Sequence, residues 1–275
     1  MTHVVPVFVT PSPRIRQVGL DRPWAWLAAG WRDLVSAPGV GLGYGGAFAA
    51  LGLLVTFGAW SAGAPYLILP LAAGFMLVAP ILAVGLYDTS RRRALGLPVD
   101  LAGAFSAWRR NPTQIGLMGV ALMLFLLLWI RIATLLFALF FSRDTPSLAR
   151  LVEQIFLSAN GLPFLVLGTA FGAALAAAVF AISVMSVPML LDRPVNVFTA
   201  IATSITAVRH NLRAMAVWAA LIALFTTVGL VTFYIGLAVT LPLIAHASWH
   251  AFRDIVVPED GAARGDDDPA PAYRP

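Results

Sequence analysis

The chain has 275 residues, 60% of them hydrophobic and only 11% charged, whereas a soluble globular chain carries roughly 25% charged residues; that deficit excludes a water-soluble body of this size. Its net charge of +5 and pI of 10.4 come from 18 basic residues, all Arg, set in loops beside apolar blocks, where they orient membrane spans and meet anionic headgroups, so the partner they imply is a lipid bilayer and not nucleic acid. The absence of Cys excludes disulfides, thiolate metal sites and Cys nucleophiles.

Residues 1–20 read as an extended tail, with Pro6, Pro11 and Pro13 and no early apolar run of the signal-peptide kind. Trp24, Leu27, Ala28, Trp31 and Leu34 follow at helical spacing and predict a short amphipathic interfacial helix. Val40–Ala62 and Pro65–Tyr87 each suit one span, since about 20 apolar residues cross a bilayer. Gly41, Gly43, Gly45 and Gly46 crowd the first of these spans and predict close backbone packing. A second stripe, Leu101, Ala104, Phe105 and Trp108, precedes a longer block, Ile115–Phe141. Phe164–Leu191 is the fourth block, with the small-residue pair Gly168 and Gly172. Val197, Ile201, Ile205 and Val208 form a third, looser stripe before Ala214–Ala247. That last block is too long for one comfortable span, but reaches two if the helix runs on through Trp249 and Phe252. Residues 258–275, with the acid run Asp266-Asp267-Asp268, read as a disordered, solvated tail.

An internal repeat favours two crossings for the last block. The three stripes end in related strings: Gly30-Trp31-Arg32-Asp33, Ala107-Trp108-Arg109-Arg110-Asn111 and Ala207-Val208-Arg209-His210-Asn211. Pro80, Pro188 and Pro242 each lie in the second span of a pair, and Asp88, Asp192 and Asp254 follow its end. The expected fold is therefore all-α: a polytopic membrane bundle over residues 21–257, with six spans as three helical hairpins, each preceded by an interfacial helix. Arg residues dominate the 88–113 and 192–213 loops and the N-terminal segment, which predicts a multi-pass inner-membrane protein with both termini cytoplasmic.

Three groups of side chains invite a chemical reading. Arg131 lies inside the third span, at a cost of at least ~2.5 kcal/mol, so it is expected to pack within the bundle against a partner or a polar cavity. The alternative is a snorkelling Arg131 that reaches the outer interface and pairs with Asp144 or Glu153. His246 and His250 share one helical face, with Asp254 a further turn along it, a two-His, one-carboxylate stripe of metal-ligand spacing. Its plainer reading is a helix end at the headgroups, anchored by Trp249. Arg91, Arg92 and Arg93 read as a topology determinant that also meets anionic lipid. No Ser–His–Asp or paired-carboxylate arrangement stands out, so no enzyme and no cofactor are expected.

At Gly85-Leu86-Tyr87-Asp88-Thr89-Ser90-Arg91-Arg92, and again from Pro242 through Trp249-His250-Ala251-Phe252-Arg253-Asp254, the chain resembles a bacterial family of predicted integral membrane proteins of unknown function. Some members of that family carry the label cytochrome c oxidase subunit I. The resemblance covers most of residues 20–257. It implies a helical membrane fold and a bacterial inner-membrane address, and brings no catalytic residues with it; Gly85, Tyr87, Arg91, Trp249 and His250 are the family-like positions. The oxidase label fails on ligands. A haem–copper oxidase catalytic subunit needs six His ligands for two haems and a copper ion, and this chain has four His, with His3 in a tail and His210 in a loop. The leading functional expectation is non-enzymatic transport or membrane-complex assembly, with a protein partner or a second copy of the chain possible. The alternative is a metal- or haem-binding accessory protein of a respiratory complex. An aqueous cavity reaching Arg131 would favour transport; a closed, dry bundle with an exposed small-residue groove would favour a scaffold or assembly role.

Overall fold

The computed structural model describes residues 13–141, 153 and 156–257, and those residues are almost wholly helical. The expectations for residues 1–12, for Asp144 and for the tail 258–275 lie outside the described residues. β1 (Arg14–Ile15) leads into α1 (Arg22–Ser36), which carries Pro23 in its first turn, where proline is tolerated. α2 (Pro38–Ser61) follows a one-residue break. A short 3₁₀ turn at Pro65–Leu67 opens α3 (Ile68–Leu82), and α4 (Val84–Ala94) continues it after a kink at Ala83. α5 (Leu101–Ser106) is capped by the Asp100 carboxylate, which accepts from the Gly103 amide at 2.7 Å. A 3₁₀ turn, Ala107–Arg110, joins it to α6 (Pro112–Phe141).

α7 (Gly161–Ser183) stops where Pro188 removes the amide that would bond the Val184 carbonyl, and α8 (Ser186–Asp192) resumes the direction. Ser204 fills the gap: its hydroxyl donates to the Ala181 carbonyl at 2.8 Å and accepts from the Met185 amide at 3.1 Å. α9 (Val197–His210) is capped by Asn196, and α10 (Leu212–Val231) and α11 (Leu237–Ile255) follow. β2 (Val256–Val257) pairs antiparallel with β1, Arg14 opposite Val257.

Among the described residues, five helical segments are long and apolar enough to cross a membrane: Pro38–Ser61, Pro65–Ala94, Pro112–Phe141, Gly161–Asp192 and Leu212–Val231. α11 has 19 residues, a length of ~28 Å at the helical rise. Its second half carries His246, Ser248, His250, Arg253 and Asp254, so it is less apolar than the others. The Ala214–Ala247 block is two helices, as the internal repeat implied. Between them Phe233 and Tyr234 take left-handed backbone angles, φ 54° and 65°. The Tyr234 hydroxyl bonds Thr56 at 2.8 Å, which ties this turn to the first span.

Each of the three leading helices turns small residues inward and at least one large aromatic outward. α1 buries Gly30 on the backbone of α11, at Leu243 and Ala247, while Trp24 and Trp31 stay exposed. Ala104 and Ala107 are buried where Phe105 and Trp108 are exposed; Ala200 and Ala207 are buried where Phe198 is exposed. The stripe read in α1 is thus mainly its outer face. The inner face is Pro23, Trp26, Gly30 and Leu34. The tightest packing lies at the Arg-rich end of the bundle, where Trp26 meets Trp218 edge to face at 5.7 Å, a pairing worth about 1 kcal/mol beyond its area. Most of the spans' apolar surface faces outward, as lipid contact requires.

Candidate functional site

Asp33, at the last turn of α1, is the hub of a polar cluster. Its Oδ2 accepts from the Ser90 hydroxyl at 2.6 Å and from His250 Nε2 at 2.9 Å, and its Oδ1 accepts from Arg93 Nε at 3.2 Å. His246 Nδ1 lies 2.7 Å from the same Ser90 oxygen. A carboxylate only accepts, so the Ser90 proton points to Asp33 and His246 Nδ1 must donate to Ser90. The cluster joins α1, α4 and α11, and with them the two strings that carry the family resemblance. Burial pushes the Asp33 carboxyl up, but the hydrogen bonds from His250 and Ser90 and the neighbouring imidazoles outweigh it, holding its pKa at about 2 against an ordinary 3.8.

Several sequence expectations are corrected by this geometry. Asp254 does not complete a stripe with the two His residues. Its carboxylate accepts from Arg22 Nε at 2.7 Å and from the Trp26 indole at 2.9 Å, with Arg16 at 3.4 Å. Among the described residues no group of three or more His, Cys, Asp or Glu side chains is placed to hold a metal ion. Trp249 is no headgroup anchor, for it is buried against Phe252. The Arg91, Arg92 and Arg93 run is no single lipid-facing patch. α4 is helical there, so successive side chains fan apart: Arg91 is buried on Asp88 at 2.9 Å, Arg93 reaches Asp33, and Arg92 donates to the Pro98 carbonyl.

Arg131 is exposed on the outward face of α6 and bonds to no described residue. The expectation that it packs inside the bundle is therefore overturned. α6 has 30 residues, ~45 Å of helix against a ~30 Å hydrocarbon core. That excess lets Arg131 stand near one interface without an internal partner.

The interior instead holds an apolar cleft of about 800 Å³ between α3, α6, α7, α10 and α11. Tyr66, Phe137 and Phe164 mark one end, and Tyr87, Ser183 and Ser248 the other. The face of α7 on the cleft is small: Gly168, Gly172, Ala173, Ala176 and Ala177. Trp129 crosses the cleft wall and donates to the Pro70 carbonyl at 2.8 Å. Among the described residues no lining residue is charged, and Arg131 is not one of them. Of the family-like string, Tyr87 lines the cleft, whereas Gly85 packs away from it on the Ala104 carbonyl and the Tyr44 ring.

Asp33 and Ser90 were missed from sequence as site residues, although both lie in strings singled out there; only folding pairs them. Fold and site define an all-α polytopic bundle of a membrane protein. Residues 68–192 match a family described as predicted integral membrane protein (DUF2189), a family of unknown function. The match takes in Gly85–Arg92 and stops before the His246–Asp254 string. The chain matches no curated protein and no solved structure.

Proposed function

We propose that this protein is a non-enzymatic membrane carrier that takes an apolar molecule from the bilayer into its cleft. The cleft is the observation that carries this reading: its size falls in the range of ligand sites, its walls are apolar, and no described residue brings a charge to it that could coordinate a polar solute. The polar cluster supports a structural role beside it. A serine nucleophile gives its proton to a base such as imidazole, whereas Ser90 gives its proton to Asp33 and receives one from His246.

Purification in mild detergent followed by native mass spectrometry is expected to show one retained apolar molecule per chain. Gly168→Leu is expected to displace it: no atom lies within 4 Å of a Cβ built there, so the larger side chain fits into free space. A chain with nothing retained, or vesicle uptake of a polar solute that requires the chain, sinks the carrier reading. Membrane-complex assembly is the second reading, favoured by the exposed Ala173, Ala174, Ala177 and Ala178. A stoichiometric protein partner in the same purification selects it.

The proposal extends to six spans in a bacterial inner membrane, with both flanks of the bundle in the cytoplasm. The β1–β2 ladder supports it, because backbone pairing holds Arg14 and Val257 on one side. Five crossings would separate them, so α11 supplies the sixth. A reporter active only in the periplasm, fused after Pro275, is expected to stay silent. Strong activity there means that α11 does not cross.

A further inference from the structure

The cleft has one polar end, and its chemistry selects a head group. Ser183 is 1% exposed, and its hydroxyl has no hydrogen-bond partner. Tyr87 and Ser248 line the same cleft, and neither hydroxyl bonds to a described residue. Buried hydroxyls are ordinarily satisfied; the enclosed Ser183 hydroxyl is not, and with Tyr87 and Ser248 lining the same space it makes a polar floor with hydrogen-bonding capacity to spare. All three sit toward the Arg-rich ends of their helices: Tyr87 one turn before Arg91, Ser183 at the end of α7, and Ser248 two residues before His250.

The far end, at Phe164, is 19 residues up α7 from Ser183, so the cleft runs ~28 Å. That is the length of an extended lipid chain in one leaflet or more. A charged head is excluded by the lining, because burying a phosphate or carboxylate without a cation is prohibitive. Hydroxyl protons without acceptors call for an acceptor.

We infer that the cleft binds an uncharged long-chain membrane lipid with a carbonyl head group, its carbonyl oxygens accepting from the hydroxyls of this end, Ser183 with Tyr87 and Ser248, and the chain lying along the small-residue face of α7. The inference rests on the carrier reading and adds the substrate class. Two sources share this chemistry, the ester carbonyls of a diacylglycerol and the ring carbonyls of a polyprenyl quinone.

The test uses the full chain in detergent with three probes: dioleoylglycerol, decylubiquinone and the anionic dioleoyl phosphatidylglycerol. Saturable binding is read by native mass spectrometry and by the rise in apparent Tm. One of the two neutral probes is expected to bind one per chain, and which of them does identifies the source. Binding is expected to weaken at least tenfold in Ser183→Ala/Ser248→Ala and in Tyr87→Phe, and to vanish in Gly168→Leu. A diazirine on the acyl chain of dioleoylglycerol is expected to cross-link to α7 and α10 in the unaltered chain, a readout independent of any variant's folding. Phosphatidylglycerol preferred at a site blocked by Gly168→Leu overturns the uncharged head and leaves the carrier reading standing. Neutral binding that is indifferent to all three hydroxyls overturns the head-group placement. No saturable lipid of any kind, and no cross-link, overturns both.

Discussion

Asp33→Ala is expected to lower stability in detergent by on the order of 3 kcal/mol, the scale for removing one partner from a buried charged network. The loss is large because one carboxylate serves three donors on two other helices: Ser90, Arg93 and His250. Without it, Ser90 and His246 retain each other, but Arg93 and His250 lose their acceptor. Asp33→Asn keeps the volume and one acceptor oxygen, and is expected to lose less. The pH dependence has a defined sign. A carboxylate whose pKa is held down contributes fully above its ordinary value of 3.8, and loses that contribution as pH falls through about 2. The gap in unfolding free energy between the parent and Asp33→Ala is therefore expected to narrow on acidification below about pH 4. A gap under about 1 kcal/mol at neutral pH would show that the cluster ties nothing together.

Gly30→Ala is expected to be strongly destabilising. A Cβ there would lie 2.6 Å from the Ala247 amide nitrogen, 2.8 Å from the Leu243 carbonyl oxygen and 2.9 Å from the Ala247 Cα. All three are backbone atoms of α11, so no side chain can swing aside, and α1 must lift off. Overpacking of this kind costs about 3 kcal/mol, well above the ~1 kcal/mol that Ala gains over Gly in a helix. Lifting α1 also separates Asp33 from His250 and Trp26 from Asp254. Gly46→Ala is the matched control: nothing lies within 4 Å of its Cβ, so it is expected to be neutral or mildly stabilising. Equal melting temperatures for Gly30→Ala and Gly46→Ala in the same detergent would refute the close crossing of α1 and α11.

Composition and patterning by themselves determined that this is a helical membrane protein, because burying backbone in lipid leaves few alternatives to helices and long apolar runs record each one. They also placed the leading amphipathic helices and the division of Ala214–Ala247 into two, since these follow from local period and the internal repeat. Charge partners were not legible in the same way. His246, His250 and Asp254 share a helical face by spacing, yet α1 lies across that face and divides it, giving Asp33 to the His residues and Trp26, Arg22 and Arg16 to Asp254. Arg131 looked internal because a charge in an apolar run is costly, but helix length and outward rotation decide where it stands. The cleft was legible only as the small residues of α7. Whether such a face closes on a neighbour or borders open space depends on where α3, α6 and α10 stand around it, and packing between distant segments alone decides that.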